Sequence, residues 1–144
     1  MLDSTRKSPS KKCCESAGEP MIKTYAVDFD GTCVDHQYPF VGDDVPGAVE
    51  TLKAIASNGD KIILNTMRSD RALSMALRWF EHYELPLYGI NENPDQKQWT
   101  NSPKVYAHHY IDDAAVGCPL IQPAGFTRQC VDWSKVRKMI GLDK

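Results

Sequence analysis

Residues 25–32, Tyr25-Ala26-Val27-Asp28-Phe29-Asp30-Gly31-Thr32, form a short apolar run that ends abruptly in two carboxylates spaced i, i+2, followed by Gly-Thr. An apolar run of this length closed by a turn signal reads as a buried strand, so Asp28 and Asp30 stand just past its carboxyl end. Open α/β sheets bind their ligands there. The pair also has a chemical use. Phosphate hydrolysis through an acyl phosphate needs one carboxylate as nucleophile and a second group to move protons, with Mg²⁺ to screen the charge between nucleophile and substrate. Taken alone, Asp-x-Asp-Gly is equally a turn that caps a strand, and the rest of the chain has to decide between the two readings.

Outward from this stretch the pattern alternates strand and helix. A loop with His36, Tyr38, Pro39 and Phe40 leads to a helix opening near Pro46, a residue suited to a first helical turn. Val45, Ala48, Val49, Leu52, Ile55 and Ala56 recur at helical spacing, and Ser57-Asn58-Gly59 supplies the stop. A second strand over residues 61–65 ends in Thr66-Met67-Arg68. Ser69 then stands at the N-cap of a helix carrying Leu73, Ala76, Leu77 and Phe80 on one side. A third strand is expected over residues 86–90, a polar loop over 91–103, and a fourth strand from about Ala107 into Asp112-Asp113. A fifth short strand near 126–131 and a last helix from Trp133 to about Ile140 complete the chain. The β-α-β-α order predicts an α/β fold, a Rossmann-like three-layer sandwich on a mainly parallel sheet.

The 144 residues fit a single domain, and a net charge of −2 with 25% charged residues gives no global reason for a nucleic-acid or membrane surface. No segment approaches the roughly 18 apolar residues of a membrane-spanning helix. The five cysteines, Cys13, Cys14, Cys33, Cys118 and Cys130, are odd in number and form no CxxC pair. That pattern suits a reducing cytoplasm better than secretion. Residues 1–20 are rich in serine and basic residues and poor in anything that could join a core, so they are expected to be a disordered tail ahead of one domain spanning 21–144. Met21 leads straight into the first strand and is a candidate start. A nucleic-acid-binding arm is the competing reading, but Asp3, Glu15 and Glu19 dilute its charge.

The second half supplies further chemical parts, each at or near a strand end. The Thr66 hydroxyl and the backbone N–H groups of Met67 and Arg68 could hold a phosphate oxygen near a helix N-terminus. Asp112 and Asp113 follow Tyr110-Ile111 and would complete an oxygen-rich Mg²⁺ site beside Asp28. Lys104 could neutralise nucleophile and phosphate, a contact worth about 1–4 kcal/mol at effective dielectrics of 20–80. Lys97 in the same loop competes for that role. Each of these has a bland reading as a cap, a solvated turn or a surface lysine. Their joint order along the chain does not.

In that order, Asp28-Phe29-Asp30-Gly31-Thr32, Thr66, Lys104 and Asp112-Asp113 resemble the four motifs of the haloacid dehalogenase (HAD) superfamily. The likeness spans residues 25–113. The Val131-Asp132-Trp133 stretch before the last helix is also similar to small bacterial and phage members. The resemblance implies a Mg²⁺-dependent phosphatase with its site at the carboxyl ends of the strands. Asp28 would attack phosphorus and become the aspartyl-phosphate, while Asp30 would act as general acid and then general base. Mg²⁺ would be held by Asp28 and Asp112 and by the Asp30 carbonyl, with Asp113 behind them or as an alternate ligand. Gly31, Thr32, Thr66, Met67, Arg68 and Lys104 would surround the phosphate, although Arg68 could instead pair with Asp70 or Asp113.

The spacing leaves no room for an inserted cap. Residues 33–45 allow only a short flap, and the site should be open. An open site suits a phosphate on a bulky partner, such as a phosphoprotein or a polynucleotide end, or a homo-oligomer whose neighbouring subunit covers it. Two non-enzymatic classes compete: a receiver-like phosphoacceptor domain, whose order of acidic pair and lone aspartate is the reverse of this one, and an idle binding module on the same fold. His36, Tyr38 and Phe40 on the flap could stack on a base or sugar, or merely pack the flap down. Cys33 reads as a buried space-filler, and His108 and His109 have no partner at zinc-ligand spacing.

Overall fold

The computed structural model describes residues 21–143, so the expectations for residues 1–20 lie outside the described residues. Four parallel strands form the central sheet in the order β3-β2-β1-β4, where β1 is Thr24–Val27, β2 Lys61–Leu64, β3 Gly89–Ile90 and β4 His109–Ile111. The first strand is buried along its whole length, which is why its sequence lacks the alternation of a half-exposed strand. Its side chains still divide by face. Tyr25 and Val27 join a large core with Leu52, Ile55, Leu64 and Phe80, whereas Ala26 joins a smaller one with Ile63, Val105 and Ala107.

Three helices cover the larger face: α1 (Ala48–Ser57), α2 (Asp70–His82) and α3 (Trp133–Met139). The α1 helix starts two residues after Pro46, with Gly47 at its N-cap in the left-handed region. Fully burying one Leu, Ile or Phe side chain contributes about 1.5–3 kcal/mol, and Leu52, Ile55 and Phe80, all buried, help to seat α1 and α2 on the sheet. The opposite face is closed by the β3–β4 connection, which carries only a single 3₁₀ turn, Gln96–Gln98. Its composition explains the absence of a longer helix: Asn and Pro recur through residues 91–103. The buried Gln96 side chain organises this segment, donating to the Ser102 and Lys104 carbonyls and accepting from the Tyr106 N–H. The fold is therefore a Rossmann-like α/β sandwich whose third layer is mostly irregular chain.

One expectation is corrected. The fifth strand is only Cys130–Val131 (β6), and it lies outside the parallel sheet, pairing antiparallel with Leu120–Ile121 (β5). This ribbon has a structural task. The Val131 N–H donates to the Gly31 carbonyl at 3.0 Å and the Trp133 indole N–H to the Thr32 carbonyl at 2.7 Å, so the C-terminal segment grips the loop that follows β1. No helix among the described residues is long and apolar enough to cross a membrane.

Candidate active site

The adjacent carboxyl ends of β1 and β4 bring Asp28, Asp112 and Asp113 together. One carboxylate oxygen from each can be chosen so that all three lie within 4.8 Å of one another. Parallel pairing dictates this: Val27 is in register with Ile111, and the Asp28 N–H continues the ladder by donating to the Ile111 carbonyl at 2.9 Å. Thr32 ties the two strand ends. Its hydroxyl donates to Asp28 Oδ2 at 3.1 Å and accepts from the Asp113 N–H at 3.3 Å. Such a set of hard oxygen donors fits Mg²⁺.

The electrostatics make the same point. Burial pushes the Asp28 carboxyl up to about 8, and the charge of Asp112 and the hydrogen bond to Asp113 push it the same way. Among the described residues, no lysine or arginine forms an ion pair with any of the three. A divalent cation would supply the missing charge. A test follows from linkage. Unfolded aspartate ionises near pH 4, so between about pH 4 and the folded value of about 8 the native state binds more protons than the unfolded chain. Stability measured in a chelator should therefore fall as pH rises across that window and level off above it. Asp28→Asn should flatten this slope and, near pH 8, stabilise the protein by about 2 kcal/mol or more, because one pKa unit corresponds to about 1.4 kcal/mol. Chemical denaturation at several pH values checks both.

Asp30 faces a different partner. Its carboxylate is gripped by the Arg68 guanidinium, Nε to Oδ2 at 2.8 Å and Nη2 to Oδ1 at 2.7 Å. The same guanidinium donates to the carbonyls of Pro39, Phe40 and Ala72, so all five of its N–H donors are used within the protein. The expectation that Arg68 contacts the substrate phosphate is corrected on this ground, and its partner is neither Asp70 nor Asp113. Arg68 is instead a buried strut joining Asp30, the flap and the start of α2.

Thr66 stands at the end of β2 as expected, half-buried, with its hydroxyl accepting the Arg68 N–H at 3.1 Å and its own N–H donating to the Asn91 side chain at 2.8 Å. Among the described residues that hydroxyl donates to no acceptor, so its proton is available to a ligand oxygen. The Met67 side chain is fully exposed, leaving only its backbone as a ligand group. Lys104 is not brought to the carboxylates. Its ammonium lies 5.8 Å from the Tyr110 ring centroid on the edge of β4, because the Gln96 clasp directs the loop there. Lys97 is exposed in the same loop and makes no ion pair among the described residues. Cys33 is fully buried and donates to the Asp28 carbonyl, consistent with filling space.

The short flap over residues 34–44 is held down at both ends. Val34 bridges Asp44, the Asp44 carboxylate accepts from the Trp79 indole and the Tyr83 hydroxyl of α2, and Arg68 holds the tip. Near the carboxylates, Arg128 escaped the sequence reading, and His36 was read only as a flap residue for stacking or packing. His36 Nε2 lies 3.0 Å from Asp113 Oδ2, and Arg128 Nη2 lies 2.8 Å from His36 Nδ1. Neither belongs to a recognisable motif, and the flap position of His36 was the single available signal.

No known family's sequence pattern matches this chain, and no curated protein does. A solved structure of a conserved protein coded by a locus from Bacteroides thetaiotaomicron is similar, with 35% sequence identity and a TM-score of 0.69 over 86% of this chain and 93% of that one. At that identity and coverage, this chain belongs to the same family as the conserved Bacteroides protein.

Proposed function

We propose that this protein is a Mg²⁺-dependent phosphomonoester hydrolase of the HAD type, working in a reducing cytoplasm. The observation that carries the reading is the convergence of Asp28, Asp112 and Asp113 at the ends of β1 and β4, with Thr66 at the end of the neighbouring β2. Asp28 attacks phosphorus in line, and the bond to the leaving oxygen breaks as Asp30 protonates it. Asp30 then takes a proton from water, which attacks the aspartyl-phosphate and frees inorganic phosphate and Asp28. The proton role requires at least one Asp30 oxygen to leave its bond with Arg68. Asp28, Asp112, the Asp30 carbonyl and Asp113 would hold Mg²⁺, which when bound screens the charge between nucleophile and phosphate. Thr66 and the backbone of Gly31 and Thr32 would hold the phosphate oxygens.

The short, pinned flap supports an open site and hence a phosphate on a bulky partner or a site covered by a second subunit. The free thiols of Cys33, Cys118 and Cys130 agree with a reducing compartment. Phosphate release from a panel of sugar phosphates, nucleotides, a 3′-phosphorylated oligonucleotide and a phosphopeptide tests the reading. Turnover that requires Mg²⁺ is expected. Turnover undiminished by a chelator would refute it.

A further inference from the structure

Among the described residues, Asp113 has one side-chain contact with a basic group, and that group is itself fixed from behind. A guanidinium only donates hydrogen bonds, so at 2.8 Å from Arg128 Nη2 the His36 Nδ1 must be the acceptor. The ring proton therefore sits on Nε2, aimed at Asp113 Oδ2 3.0 Å away. The contact is built into the backbone on both sides. A methyl group at Gly31 would lie 2.1 Å from His36 Nε2 and 2.5 Å from Asp113 Oδ2, so the pair closes over the one residue type that leaves room for it. On the far side the Thr127 N–H and hydroxyl donate to the buried Asp35 carboxylate, which also accepts the His36 N–H, and the Thr127 hydroxyl reaches the His36 carbonyl. These bonds lock residues 127–128 to residues 35–36, although the two segments are about 90 positions apart in sequence.

We propose that Arg128 and His36 are positioning residues for the acidic cluster: Arg128 fixes the tautomer of His36, and His36 holds Asp113 in place against Asp28 and Asp112. The inference rests on the reading of that cluster as a cation site. In metal sites generally, the groups that orient a ligand influence affinity about 10- to 100-fold. Here the orienting group of the carboxylate is an imidazole N–H, and the segment supplying its support lies beyond the 25–113 stretch.

The test is a double-mutant cycle read by Mg²⁺ calorimetry, joined to ¹⁵N spectra of the histidine rings. His36→Ala is expected to weaken Mg²⁺ binding about 10-fold and Arg128→Ala by a smaller factor. Adding Arg128→Ala to His36→Ala should change nothing further, because Arg128 acts through the ring. Arg128→Lys, which can still donate to Nδ1, should restore most of the affinity. The spectra should show His36 protonated on Nε2 in the wild type and a mixture of tautomers in Arg128→Ala, with unchanged thermal melting since Arg128 is exposed. Additive effects of the two substitutions, or a His36 ring protonated on Nδ1 in the wild type, would overturn the proposal. Absence of Mg²⁺ binding by the wild type would instead refute the cation-site reading, and the ring spectra would still decide the relay.

Discussion

Arg68→Ala should destabilise the protein by about 3–5 kcal/mol, the range found when one partner of a buried ion pair is removed. The guanidinium is almost completely buried, and its loss would leave the Asp30 carboxylate without its pair and three carbonyls, those of Pro39, Phe40 and Ala72, without their donor. Each orphaned acceptor adds a desolvation cost of about 1–3 kcal/mol where water cannot reach it. Lysine cannot replace the fork, because one ammonium cannot span both Asp30 oxygens and the flap carbonyls. The charge part of the cost is separable: Arg68→Met combined with Asp30→Asn should be less damaging than the sum of the single changes. Urea denaturation of the three variants measures this. Additivity would mean that the pair contributes nothing as a pair.

The second large effect is at Gly31. Its φ of +84° lies in the left-handed region, which costs an L side chain about 1–2 kcal/mol, and the added methyl would displace both His36 and Asp113. Gly31→Ala should therefore lower stability by about 2 kcal/mol or more and weaken Mg²⁺ binding at least as much as His36→Ala does. Removing the ring in the same chain, Gly31→Ala with His36→Ala, should recover part of the stability by clearing one of the two collisions. A Gly31→Ala protein with full Mg²⁺ affinity would mean that the loop after β1 can yield without disturbing the carboxylates.

How much of this could be read in advance depended on how local the cause was. Strand β1 was legible because four consecutive residues are buried on both faces, so an unbroken apolar run suffices. The convergence of Asp28 with Asp112 and Asp113 followed from parallel pairing once two apolar runs ended in acids. The contacts that hold these groups were not legible. Arg68 meets Asp30 across 38 residues, His36 meets Asp113 across 77, and Arg128 meets His36 across 92, so each depends on how the loops pack and leaves no periodic trace. Lys104 was misplaced for the related reason that spacing along an irregular segment does not fix direction; the Gln96 side chain sets its path. The β5 strand went unseen because two apolar residues close to Pro119 and Pro123 carry no pattern.

The loop after β1 emerges as the centre of the molecule. Trp133 and Val131 hold it from the C-terminal segment, Thr32 ties it to Asp113, and Gly31 leaves room for the His36 contact. Its Asp30 anchors the strut that fixes the flap. Fold and site are thus stabilised by the same bonds, which is why the substitutions with the largest expected effects on stability fall beside the proposed chemistry.

The most direct measurement is phosphate release from the best substrate of the panel by wild type and by Asp28→Asn, with Mg²⁺ and with a chelator. The proposed mechanism requires Mg²⁺-dependent turnover in the wild type and a loss of at least about a thousandfold in the variant, since an amide cannot form the aspartyl-phosphate. A folded Asp28→Asn protein that releases phosphate at the wild-type rate would contradict it, because Asp28 could not then be the nucleophile.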